Sequence, residues 1–97
     1  MPTKRTVKAQ KLKHDAVAAI IGVHLQGIRQ KTGITPYEAS KKSGLDVNHG
    51  YSIESGVRTP ALLTFIKYVR GIGADPGTVC SEIERELESG GWLEELP

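Results

Sequence analysis

The stretch from Gly33 to Gly56 leaves this chain few ways to fold. Thr35, Pro36 and Glu38 form a Thr-x-x-Glu box with proline at the first helical position, a strong signal for a helix start. Gly44 stops that helix after about Ser43. Asp46 then offers a second N-cap, and Val47 to Ser55 reads as another helix closed by Gly56. Within it, Asn48-His49-Gly50 has the local look of a turn, and a glycine inside a helix costs about 1 kcal/mol relative to alanine. The capping aspartate and the Ile53-Glu54-Ser55-Gly56 exit favour helix, with Gly50 facing inward. The space opposite its missing side chain then needs filling, with Tyr51, Ile53 or a neighbouring aromatic as candidates.

The flanking segments are helical as well. Val17, Ile21, Leu25 and Ile28 recur at spacings of four, four and three, one stripe of a 3.6-residue period across residues 15 to 32. The segment from Lys8 to His14 also holds good helix formers, which leaves the start of this helix open. Gly33 suits the left-handed position that follows a helix. Thr59-Pro60 opens a further helix by the same capping logic, and its Leu62, Leu63, Phe65, Ile66 and Val69 are apolar enough to be largely buried. Asp75-Pro76 starts the last helix, carrying Val79, Ile83 and Leu87. With Trp92 and Leu93, these residues form either the closing face of the core or a homodimer surface. No alternating β-branched run competes, so the expected fold is all-α: five short helices in a compact domain. The expected organisation is a basic N-terminal arm over 1–14, a helix-turn-helix domain over 15–74 and an acidic C-terminal helix and tail over 75–97.

The 97 residues allow one domain with a modest core. An apolar fraction of 38% and a charged fraction of 25% are ordinary for a soluble chain. No run approaches a membrane span and no signal peptide is visible. The single cysteine, Cys80, reads as a small core hydrophobe and fits a reducing cytoplasm. Charge is divided sharply. Residues 1 to 14 hold Lys4, Arg5, Lys8, Lys11 and Lys13 with no acid, whereas residues 75 to 97 hold Arg85 against seven acids. A basic front and an acidic rear point to a polyanion approached from one side.

The link Gly44-Leu45-Asp46 has the helix-turn-helix spacing, which lets the second helix lie in a DNA major groove. Here the chain resembles the lambda-repressor/Cro-type (XRE-like) helix-turn-helix family. The likeness rests on Gly33, Thr35, Glu38, Gly44 and Leu45, on Ile53-Glu54-x-Gly56-x-Arg58-x-Pro60, and upstream on Arg29 within "IGVHLQGIRQKTG". It covers about residues 15 to 80. The resemblance implies a five-helix fold that binds double-stranded DNA sequence-specifically, as a phage- or bacterial-type repressor. On it, Val47, Asn48 and Ser52 fall where side chains meet base edges, with His49 and Tyr51 flanking them. Asn48 suits paired hydrogen bonds to adenine N6 and N7, and Val47 suits a thymine methyl.

Backbone or minor-groove contacts are expected from Lys4, Arg5 and Lys8 in the arm, from the helix start at Thr35, Pro36 and Tyr37, and from Arg58. Arg29 and Glu54 are expected to form an internal ion pair rather than to touch DNA. Two departures stand out. The family usually opens its second helix with a DNA-contacting glutamine, where this chain has Pro36, and Gly50 stands where a buried aliphatic residue is common. No enzyme motif is present: there is no CxxC pair, HExxH, phosphate loop or Gly-x-Ser-x-Gly, and His14, His24 and His49 are scattered. Nothing points to a cofactor, a metal or a small-molecule ligand. The alternatives are an antitoxin whose tail binds a toxin, and a protein-interaction module that keeps the fold without reading DNA.

Overall fold

The computed structural model describes the backbone of residues 4–94 and the side chains of residues 14–94. Its elements are α1 (Lys4–Thr32), α2 (Pro36–Lys42), α3 (His49–Ser55), α4 (Leu62–Gly71) and α5 (Pro76–Ser89). All are helices, and among the described residues there is no strand. At about 1.5 Å per residue, the 29 residues of α1 account for the 43 Å long dimension of the molecule. This helix takes in the basic segment from Lys4 onward, so its backbone continues into the stripe-bearing part without a break. The side chains of Lys4, Arg5 and Lys8 lie outside the described residues. No helix among the described residues is long and apolar enough to cross a membrane.

Local signals set most boundaries. Thr35 Oγ1 accepts the Glu38 N–H at 3.1 Å, and Glu38 Oε1 accepts the Thr35 N–H at 3.3 Å, a complete capping box around Pro36. Asp75 caps α5 by accepting the Thr78 N–H at 2.8 Å and the Thr78 hydroxyl at 3.0 Å. These bonds, the backbone one first, hold its carboxyl below the ordinary value of 3.8. Gly33, Gly44 and Gly56 all adopt positive φ, between 70 and 74°.

Other boundaries differ from expectation. α3 begins at His49, two residues late, because Asp46 closes a tight turn first: its Oδ1 accepts the Asn48 N–H at 3.0 Å and its carbonyl the His49 N–H at 2.9 Å. Thr59-Pro60 does not cap α4. Ala61 occupies that position, without a side-chain hydrogen bond. The late start moves Leu62 and Leu63 beyond the edge of the core, where they are 73% and 63% exposed, and the inward residues of α4 are Tyr68, Val69 and, just past its end, Ile72. Cys80 is exposed rather than buried, because Val79, its neighbour, takes the inward position on α5.

The core joins Ile21 and Leu25 of α1, Ala39 of α2, Ile53 of α3, Tyr68 and Val69 of α4, Ile72, and Val79, Ile83 and Leu87 of α5. The stripe on α5 is thus the closing face of the core, with Trp92 packed against it and Leu93 left exposed. His24 also ties α1 to α5, its ring nitrogens lying 3.1 Å from Glu82 and from Glu86.

The position opposite Gly50 is filled by α2 itself, not by Tyr51 or an aromatic ring. Gly50 is buried, while Tyr51 is 55% exposed. A Cβ built on Gly50 would lie 2.7 Å from Ser40 Oγ and 3.0 Å from the Pro36 carbonyl carbon, and closer still to its oxygen. The helix opening α2 therefore approaches α3 backbone to backbone, and only glycine permits it. Gly22 does the same where α1 crosses the end of α3, since a Cβ there would meet Ile53 and Glu54 carbonyl oxygens at 2.8 and 2.6 Å. α3 is gripped from both sides.

Candidate nucleic-acid interface

The inward positions of α3 are Gly50, Ile53 and Glu54. At 100° per residue this turns Asn48, Ser52 and Ser55 to the opposite side, flanked by His49 and Tyr51. All five are exposed. Asn48, His49, Ser52 and Arg58 line one open groove together with Asp46, the Thr59-Pro60-Ala61 segment that leads into α4, and Thr64 of α4 itself. Val47, 37% exposed, and Tyr51 stand outside this groove on the same outer surface. The Asn48 carboxamide makes no hydrogen bond among the described residues, so both its ends are open to a partner.

The surface is held by a buried ionic tie beneath it. Arg29 Nε donates to Glu54 Oε2 at 2.7 Å and Oε1 at 2.9 Å, and Arg29 Nη1 donates to the Ile34 carbonyl at 2.6 Å. The Tyr68 hydroxyl donates to Glu54 as well. The side chains of Arg29 and Glu54 are 10% and 5% exposed, so this pair fastens α1 to α3 and faces away from any ligand on the outer surface. Its hydrogen bonds to Glu54 keep the Arg29 guanidinium above its ordinary value. Burial first, and then the bond to Glu54, push the Tyr68 hydroxyl well above its ordinary 10.0. The Glu54 carboxylate thus accepts three hydrogen bonds in the interior, from two partners, Arg29 and Tyr68.

At the start of α2 the arrangement is narrower than expected. Pro36 has no N–H, and the N–H groups of Thr35 and Glu38 are used within the capping box. Tyr37 supplies the remaining amide of that first turn, and its ring lies 5.7 Å below Lys41 Nζ in a cation–π contact. Thr35 and Tyr37 are exposed, and Pro36 is half-buried. The groove collects Asn48, His49, Ser52 and Arg58 but not these three.

Sequence reasoning missed Asp46 and Thr64 as groove residues and Ser40 as a buried partner of α3. Asp46 read only as a cap, and Thr64 carries no motif. Ser40 is signalled only indirectly, by the missing side chain at Gly50. Electrostatics divide along the packing. α3 packs on α1 and α2, whereas α5, with its Glu82, Glu84, Glu86 and Glu88, packs on α4 and α1.

No protein-family model matches the chain, and none of the curated proteins does. Among solved structures, it is similar to an XRE-family like protein from Pseudomonas syringae pv. tomato str. DC3000. The two share 24% identity and superpose with a TM-score of 0.62, over 87% of this chain and 98% of that one. The arrangement of five helices described above is therefore an XRE-like helix-turn-helix fold.

Proposed function

We propose that this chain is a sequence-specific double-stranded DNA-binding transcriptional regulator of the repressor type. In this reading, α3 and the turn leading into it (residues 47–55) enter the major groove of an operator. Asn48 pairs with an adenine edge, Ser52 and His49 reach neighbouring bases, and Val47 and Tyr51 make apolar contacts at the margin. Arg58 and the Tyr37 amide hold phosphates on either side, and the Lys4, Arg5 and Lys8 segment adds backbone or minor-groove attraction. The acidic outer face of α5 stays away from the phosphates, because like charge repels. Occupancy of the operator excludes polymerase. The chain's habitat in this reading is the cytoplasm of a bacterium or of a phage host.

One observation carries the reading most. On the outer face of α3 the side chains of Asn48, His49 and Ser52 make no hydrogen bond among the described residues, and Asn48, the residue best suited to a base edge, is open at both ends of its amide. Footprinting against a genomic fragment library tests it, with Asn48→Ala beside the parent. A small set of protected sites, lost or blurred in the variant, is expected. Binding of all fragments within a few-fold by the parent sinks specific regulation, and an unchanged footprint in the variant sinks the assignment of α3.

A further inference from the structure

α3 opens without a cap of its own. Asn48 stands at the N-cap position, but its backbone is already helical (φ −89°, ψ −9°) and its side chain caps nothing. An asparagine there ordinarily turns its Oδ1 onto the N–H of the second or third helical residue. Here the second residue is Gly50, and its N–H is already taken. Ser40 Oγ, reaching across from α2, accepts it at 2.7 Å. The Ser40 side chain is fully buried and donates its own proton to the Pro36 carbonyl at 3.0 Å, which aims a lone pair at Gly50. The cap is thus supplied from the neighbouring helix. Gly50 belongs to the device, since its lack of a Cβ lets Ser40 come within reach.

We infer that Ser40 is a positioning residue for the DNA reading proposed above, on which this inference rests. By capping Gly50 from α2, Ser40 keeps the Asn48 carboxamide off its own helix and leaves both its oxygen and its NH2 for a base. Paired contacts to adenine need both ends at once. An Asn48 whose oxygen is spent on Gly50 keeps only its NH2 and loses the pairing. Without the Ser40 hydroxyl, the buried Gly50 N–H lacks its acceptor, and an asparagine at the N-cap is the side chain that ordinarily supplies one.

A double-variant cycle on the full chain tests this, with a selected binding duplex and one altered at the base pair whose preference depends on Asn48. In the parent, Asn48→Ala lowers that preference about tenfold, the worth of one paired base contact. Ser40→Ala lowers it to a similar level, and Ser40→Ala with Asn48→Ala falls no further. Additive losses overturn the inference, because Asn48 would still be reading with Ser40 gone. Weakening at every base pair with the preference kept also overturns it, as that is what lost stability alone produces. Nuclear magnetic resonance of the parent decides the matter even if Ser40→Ala does not fold. The Asn48 side-chain amide should be mobile in the free protein, with an order parameter below about 0.6, and the Gly50 N–H protected from exchange. An Asn48 amide found rigid and bound to Gly50 refutes the inference. A parent without base preference refutes the DNA reading instead, leaving the resonance measurements to decide whether Ser40 holds Asn48 free.

Discussion

Replacing Gly50 by alanine sets two effects of opposite sign against each other. Helix propensity favours alanine by about 1 kcal/mol at most. Packing opposes it: the new methyl would sit 2.7 Å from Ser40 Oγ and 3.0 Å from the Pro36 carbonyl carbon. Ordinary contact begins near 3.5 Å, so α2 and α3 must part by about 1 Å. Backbone cannot rotate away as a side chain can, and such overpacking costs about 1–3 kcal/mol. Parting the helices also stretches the 2.7 Å bond from the Gly50 N–H to Ser40, and a buried donor without its acceptor costs about 1–3 kcal/mol more. The net is a loss of about 1–5 kcal/mol, centred near 3. Gly27 is the control. It lies inside α1 without positive φ, and a Cβ there meets nothing within 4 Å. Gly27→Ala should therefore stabilise by up to about 1 kcal/mol. Urea denaturation and thermal melting of the two variants measure both. A melting temperature lower by about 10 °C or more is expected for Gly50→Ala and a rise of a few degrees for Gly27→Ala. If both variants gain stability alike, the close approach of α2 to α3 is refuted.

Three further outcomes are expected. Glu54→Ala leaves Arg29 buried without its carboxylate and should cost about 3–5 kcal/mol, whereas Tyr68→Phe removes one charge-assisted bond and should cost about 1.5–3 kcal/mol; chemical denaturation separates them. The Asp75 carboxyl is depressed in the folded chain, so its stabilisation is present above the ordinary value of 3.8 and is lost as pH falls through the lower folded value. Asp75→Asn should accordingly lose less stability than the parent between about pH 5 and pH 3, read from denaturation midpoints across that range. Replacing Lys4, Arg5 and Lys8 together by alanine should flatten the dependence of log affinity on log salt by about 0.9 for each phosphate contact removed, measured by fluorescence anisotropy on duplex DNA.

What was legible in the sequence was local or periodic. The helix starts at Thr35-Pro36 and Asp75-Pro76 declare themselves within a few residues, because a cap is chemistry between neighbours. The stripes on α1 and α5 declare themselves by spacing. The start of α3 was displaced because an aspartate that closes a tight turn and one that caps a helix satisfy the same early N–H groups. Leu62 and Leu63 misled because hydropathy does not say where the core ends along a helix. The pairing of Ser40 with Gly50 lies ten positions apart, on separate elements, and depends on an interhelical distance that no spacing encodes. The resemblance alone singles out Asn48, His49 and Ser52, while the freedom of their side chains from internal hydrogen bonds comes only with the structure.

The central claim is that α3 reads base sequence through Asn48. Selection of binding sites from a randomised duplex pool, run in parallel for the parent and Asn48→Ala, tests it most directly. The account predicts a defined motif for the parent, and for the variant the same motif with the preference at one adenine-containing base pair reduced by about 1–3 kcal/mol. Identical motifs from both proteins, or no motif from the parent, would contradict it.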